Sequence, residues 1–254
     1  MTGSIKFFLL VAIVMVVDLP ASHAKMARSL LPSITTPVPQ MLPEVWTNGT
    51  IDQVYIKKHQ AQCEKVLAIK PELIFIGDSI TARWPEELVK QNFGKYRYVN
   101  LGIGGDWVQN VLWRVLNGVL DQVHPKVIVL MVGTNNLFHR FTPDEIAEGV
   151  AAILKALHEK APGSKVLVEG ILPGGRSIKE PRNELIRQTN AKIALLADNK
   201  TVFYLDVGDK LLEPDGSITE AVMPDKLHVA MPGYVRWLEA LTPTLTKLLE
   251  TAGK

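Results

Sequence analysis

Five short apolar runs punctuate the chain at residues 73–76, 98–100, 127–132, 165–169 and 202–206, separated by longer stretches of mixed polarity. The runs are dominated by Leu, Ile and Val with few polar interruptions, the pattern of strands buried on both faces. Between them, apolar positions at three- and four-residue spacing predict helices over 107–116, 143–160 and 184–197. A last helix is predicted over 233–249 and a weaker one over 52–68. Thr142-Pro143-Asp144-Glu145 combines an N-cap, a first-turn proline and a capping-box glutamate. Strands alternating with helices at these spacings imply a parallel sheet covered on both sides. With no internal repeat and no second core, one α/β domain is expected.

Ahead of that alternation the pattern changes twice. Residues 1–6 carry one cation, residues 7–17 are an uninterrupted apolar run, and Ser22-His23-Ala24 offers small residues before a cut ahead of Lys25. A charged start, a short apolar core and a small-x-small exit describe a secretory signal peptide. The core is shorter than the roughly 20 residues of a membrane span, although an uncleaved anchor is the competing reading. Cleavage removes one cation and one anion together, along with His23. Residues 25–45, broken by Pro32, Pro37, Pro39 and Pro43, read as an extended arm. The domain organisation expected is thus a leader over 1–24, an arm over 25–45 and a folded domain over 46–254. The mature protein is expected to be secreted or periplasmic, without stable membrane insertion.

Composition narrows the function classes. At 254 residues, 47% hydrophobic and 21% charged, the chain suits one well-cored globular domain. A net charge of +2, from 28 basic and 26 acidic residues, leaves no field for gripping a phosphate backbone, so nucleic acid is not an expected partner. The single Cys63 excludes an intrachain disulfide framework and a cysteine-based zinc site, and it fits an exported chain. Asn48 and Asn199 match the glycosylation pattern, which matters only in a eukaryotic secretory pathway.

Ligands of parallel sheets bind beyond the carboxyl ends of the strands, so the polar residues following each run are the candidates for chemistry. After 73–76 comes Gly77-Asp78-Ser79-Ile80, where a sharp turn can present the Ser79 hydroxyl and its N–H to one space. Thr81 replaces the second glycine of a hydrolase nucleophile elbow, and Asp78 or Ser79 could equally be a helix cap. After 98–100 comes Gly102-Ile103-Gly104-Gly105-Asp106, with Trp107 where a dinucleotide fingerprint needs its third glycine. Such a turn can expose a backbone N–H to a small anion, or simply connect strand to helix. After 127–132 comes Gly133-Thr134-Asn135-Asn136, whose amide can stabilise an oxyanion or serve a turn. Near the C-terminus, Asp225-Lys226-Leu227-His228 can supply a general base and the acceptor that orients it.

Nucleophile, oxyanion donors, base and orienter together form the combination that names the SGNH/GDSL hydrolase family, which this chain resembles. Within it, the stretches IFIGDS, NLGIGGD, VLWRVLNG, PKVIVLMVGTNN and LHVAMPGY are similar to the platelet-activating-factor acetylhydrolase branch, from about residue 46 to 249. The resemblance implies a flavodoxin-like three-layer α/β/α sandwich with a five-stranded parallel sheet. It implies Ser79 as nucleophile, His228 as base and Asp225 as its orienter, with Ser79, Gly105 and Asn135 forming the oxyanion hole. Asp78, which should organise its turn, is also expected with His139 and Arg176 at the substrate. No metal or organic cofactor is implied, and a homodimer is raised.

The remaining histidines are less promising. His59 and His158 fall in helical stretches and are expected to face solvent, while His124 lies at the wrong end of the sheet. Trp107 and Trp113 are expected to be packing groups. The activity implied is hydrolysis of short, acetyl-type carboxylic esters through an acyl-enzyme. Because that branch is intracellular and this chain carries an export signal, a small or carbohydrate-borne ester is favoured over a phospholipid. An acyltransferase, a lipid acetylhydrolase and a catalytically silent glycan-binding module are the alternatives.

Overall fold

The computed structural model describes residues 53–252. The proposed leader, the proline-rich arm and residues 46–52 lie outside the described residues. Numbering elements within that span, α1 (Gln53–Ile69) leads into β1 (Leu73–Gly77), α2 (Ser79–Ala82), α3 (Glu86–Phe93) and β2 (Tyr98–Asn100). Then follow α4 (Val108–Leu116), β3 (Val127–Met131), α5 (Thr134–Phe138), α6 (Pro143–Lys160) and β4 (Lys165–Glu169). The chain continues through α7 (Pro181–Ala194), β5 (Val202–Leu205), a 3-10 turn (Gly208–Leu211) and α8 (Met231–Thr251).

All five strands are parallel, in the order β2-β1-β3-β4-β5. This is the doubly wound flavodoxin order, whose switch point lies between β1 and β3. Every residue of β1 and β3 is buried, as the continuous apolar runs require. Edge strand β5 departs from that expectation, being only half-buried along its length. Leu73, Phe75, Val127, Val129 and Leu167 join Trp84, Phe93, Trp237 and Leu241 in one core cluster beneath α3 and α8. Strand residues alternate between faces, so Ile74, Ile76, Ile128 and Leu130 point the other way. There α4 packs on α6 and α6 on α7.

Helix ends follow their local chemistry. Thr142 accepts the Glu145 N–H at 3.3 Å and Glu145 accepts the Thr142 N–H at 2.7 Å, closing the capping box. Trp107 is the N-cap of α4 and not its first residue, and Asn110 accepts its N–H at 2.9 Å. Helices α7 and α8 start two or three residues earlier than their periodicity indicated, because Pro181 and Pro232 occupy first-turn positions where a missing N–H costs nothing. The pattern gave no sign of α2, α3 and α5, which span four, eight and five residues.

One buried carboxyl makes the fold sensitive to pH. Glu169, at the end of β4, is 3% exposed and accepts the Trp237 indole N–H of α8 at 2.6 Å. Burial pushes its carboxyl up to about 7, against that hydrogen bond, with Asp206 adding repulsion. The folded state therefore binds a proton that the unfolded chain has released, and stability falls as pH rises from about 4.5 to 7. Glu169→Gln keeps an acceptor for Trp237 and removes the titration. Its stability relative to the parent should improve by about 2 kcal/mol between pH 5 and pH 8 in urea denaturation. A constant difference across that range would show that the carboxyl does not titrate there.

Candidate active site

The site is assembled at the carboxyl ends of β1 and β3, beside β2. A side chain on Gly77 would collide with the Met131 carbonyl of β3 and with Thr81, so only glycine lets β1 turn here against its neighbour. Asp78 then caps α2, its Oδ1 accepting the Ile80 N–H at 2.9 Å. Ser79 is the first residue of that helix and is half-buried. Asp78 is 1% exposed, which puts its side chain beneath the cleft and out of reach of a substrate. Burial pushes its carboxyl up to about 7, the Ile80 N–H opposing and the Asp106 charge adding to the rise.

His228 arrives from a loop 149 residues away, and its Nε2 lies 2.9 Å from Ser79 Oγ. Its Nδ1 lies 2.6 Å from Asp225 Oδ2, while Asp225 Oδ1 accepts the N–H groups of Leu227 at 3.0 Å and His228 at 2.6 Å. Partial desolvation opposes ionisation of Asp225, but those backbone bonds and the imidazole outweigh it and hold the carboxyl down at about 2. Arg83 lies 3.9 Å from Asp225 on an exposed face, where an ion pair contributes little. The imidazole can accept the Ser79 proton at Nε2 while Nδ1–H donates to the carboxylate.

The β2 exit comes to the same rim. Leu101 N–H bonds Phe75 O at 2.7 Å and Ile103 N–H bonds Gly77 O at 3.1 Å, laying the glycine turn along the end of β1. Gly105 is exposed at φ +84°, a conformation that glycine adopts without strain. From the β3 exit, the Asn135 amide donates one N–H to the Asp106 carbonyl at 2.8 Å, leaving its second for another acceptor. Asn136 Oδ1 accepts the Val108 N–H at 3.0 Å, so α5 is tied both to the glycine turn and to the first residue of α4.

Beneath this rim lies a group that the sequence reading did not single out. Arg114 is fully buried, with Nη2 at 2.6 Å from Asp106 Oδ2 and 3.2 Å from Gly77 O. Its Nη1 donates to Leu101 O at 2.6 Å and to Gln62 at 3.0 Å. Tyr55 donates to Asp106 Oδ1 at 3.0 Å. Burial pushes the Asp106 carboxyl upward, and Arg114 and Tyr55 pull it back. The available signal was one cation inside Val-Leu-Trp-Arg-Val-Leu, a segment otherwise apolar around its circumference.

The other candidates divide. His139 is exposed on the rim, its ring 4.4 Å from that of Trp107, and desolvation holds its pKa below the ordinary value. Arg176 is committed to backbone carbonyls of the loop before Asp225. His158 is exposed, whereas His59 is 5% exposed and packs its ring 4.8 Å from Trp113. That corrects the expectation of a solvent-facing His59, whose Nε2 lies 2.8 Å from the Asn117 carbonyl. Trp107 and Trp113 are both buried. Among the described residues no cluster of His, Cys, Asp or Glu could hold a metal ion, and no helix is long and apolar enough to cross a membrane.

Comparison with known proteins gives consistent relatives. Residues 75–236 match the GDSL-like Lipase/Acylhydrolase family. The human platelet-activating factor acetylhydrolase IB subunit alpha1 is 37% identical over 182 residues, covering 71% of this chain and 78% of that protein. A solved structure from Streptococcus pneumonia is similar in fold at TM-score 0.65 and 24% identity, covering 76% of this chain and 95% of that one. Axe2, an acetylxylan esterase from Geobacillus stearothermophilus, is similar in fold at TM-score 0.55 and 16% identity, covering 70% and 94%.

Removing Asp106 would leave the Arg114 guanidinium buried without a counter-charge. Asp106→Ala should therefore destabilise the protein by about 3–5 kcal/mol. Tyr55→Phe, which removes one hydrogen bond to the same carboxylate, should cost about 1 kcal/mol. Equal small losses in guanidinium denaturation would show that the pair does not anchor the turn.

Proposed function

The chain belongs to the GDSL-like lipase/acylhydrolase family and is a hydrolase, and from that premise we propose that it cleaves short, acetyl-type carboxylic esters through an acyl-enzyme on Ser79. The observation that carries this reading is the continuous chain Ser79 Oγ, His228, Asp225, with contacts of 2.9 and 2.6 Å. His228 Nε2 takes the Ser79 proton as Oγ attacks the ester carbonyl carbon. The resulting oxyanion is met by the N–H groups of Ser79 and Gly105 and by the second N–H of Asn135. The tetrahedral adduct collapses, His228 returns the proton to the leaving alkoxide, and water repeats the sequence on the acyl-enzyme. Asp225 remains ionised throughout and stabilises the imidazolium.

One feature supports a small acyl group: the relatives at 37% identity are named acetylhydrolases. The leader-like residues 1–24 support release outside the cytoplasm, which favours a small or carbohydrate-borne ester over a phospholipid.

Purified protein should hydrolyse p-nitrophenyl acetate, and rates should fall steeply as the acyl chain lengthens. Ser79→Ala should lower kcat by about 10⁵-fold or more, and Asn135→Ala by about 100–1,000-fold. Unchanged turnover in folded Ser79→Ala would overturn the mechanism. Acetylated xylan and an acetyl phospholipid, assayed beside the chromogenic series, separate the two alcohol classes.

Export is tested independently of activity. Expressed with its own N-terminus in an export-competent host, the protein should be recovered outside the cytoplasm, beginning at Lys25. A product retaining Met1 in the cytosol would refute the leader.

A further inference from the structure

The Asp225–His228 segment has little regular structure of its own, yet it must hold the imidazole to hydrogen-bond precision. It follows β5 and the 3-10 turn and precedes α8, and Lys226 within it sits at φ +66°, an uncommon conformation for a side-chain-bearing residue. Its support comes from the turn after β4. Arg176 Nη1 donates to the Met223 carbonyl at 2.7 Å and Nη2 to the Pro224 carbonyl at 2.8 Å. Pro224 immediately precedes Asp225. The neighbouring Gly175 N–H donates to the Lys226 carbonyl at 2.8 Å. Three donors from two consecutive residues thus meet carbonyls on both sides of Asp225.

Arg176 is itself fixed. Its N–H donates to Glu180 Oε1 at 2.5 Å, and its carbonyl accepts the Ile218 N–H at 2.9 Å. Glu220 lies 3.3 Å from Nη2 but is 84% exposed, so that ion pair contributes little. The planar fork of a guanidinium reaches two successive carbonyls at once, and an ammonium cannot reproduce that geometry.

We propose that Arg176 is a positioning residue that locks the Asp225–His228 loop in register with Ser79, and not a substrate-binding residue. The proposal rests on the reading of Ser79, His228 and Asp225 as the reacting groups. Without the fork, the Met223 and Pro224 carbonyls turn to water and the loop samples positions in which His228 Nε2 leaves Ser79 Oγ. A displacement of about 1 Å at a reacting group can cost about 100-fold in rate.

Arg176→Ala should lower kcat for p-nitrophenyl acetate by about 10–100-fold, with KM changed less than about twofold. Free guanidinium at millimolar concentration should restore part of the loss, and Arg176→Lys should recover little. Glu220→Gln, which removes only the exposed ion pair, should stay within about twofold of the parent. A raised KM at unchanged kcat would place Arg176 against substrate and overturn the proposal, as would unchanged kinetics. A loss insensitive to guanidinium would also count against it. A second readout does not depend on turnover: the downfield proton shared by Asp225 and His228, followed by NMR. Arg176→Ala should speed its exchange with water at least about 10-fold, and an unaltered resonance would overturn the proposal even if the parent hydrolyses no ester.

Discussion

The contact between Asp106 and Arg114 is the constraint on which the rim of this molecule depends. Two opposite charges taken wholly out of water are costly unless their hydrogen-bonding capacity is met by neighbours. Here Leu101, Gly77 and Gln62 serve the two terminal nitrogens of Arg114 and Tyr55 serves Asp106, while the Arg114 Nε is left without a partner among the described residues. Those bonds bring the end of β1, the turn after β2 and the first helix of the described chain to one point. Gly77 and Gly105 lie within one residue of the atoms so gathered. The geometry around Ser79 is therefore set from below, by a network that does not touch the cleft.

The opposite wall is built differently. The Asp225–His228 loop is held from the side, by carbonyl contacts with the turn after β4, and its carboxylate remains half in solvent. One wall is rigid because its charges are buried, whereas the other is held by bonds at a wetter surface. Individual hydrogen bonds at an exposed position are each worth little in stability, so such a loop depends on several acting together.

Much of this was legible in the chain. The apolar runs mark all five strands to within a residue: burial on both faces leaves little room for polar side chains in β1 and β3, and the half-buried edge strand β5 still carries an apolar run. The polar exits of three runs and the Asp-x-x-His loop identified the groups that meet at the rim. Helices α2, α3 and α5 were not legible, since four to eight residues are too few to establish a 3.6-residue period. From sequence His59 reads as solvent-facing, because a polar residue in a helical stretch normally faces out. Its burial follows from packing against Trp113 and a carbonyl of Asn117, partners more than fifty residues distant. The sequence leaves Arg176 as a pocket-rim candidate and gives Asp78 a turn-organising role besides substrate contact; the tertiary structure shows Asp78 capping α2 and Arg176 bound to the Met223 and Pro224 carbonyls.

The sequence alone determined the alternation of strand and helix, the parallel sheet and the identity of nucleophile, base and orienter as candidates, because each depends on local pattern or on residue type at a strand exit. Tertiary structure decided which charge is buried, which arginine faces a carbonyl and how far His228 stands from Ser79. Those outcomes are contacts between segments as much as 149 residues apart, and no periodicity along the chain encodes them.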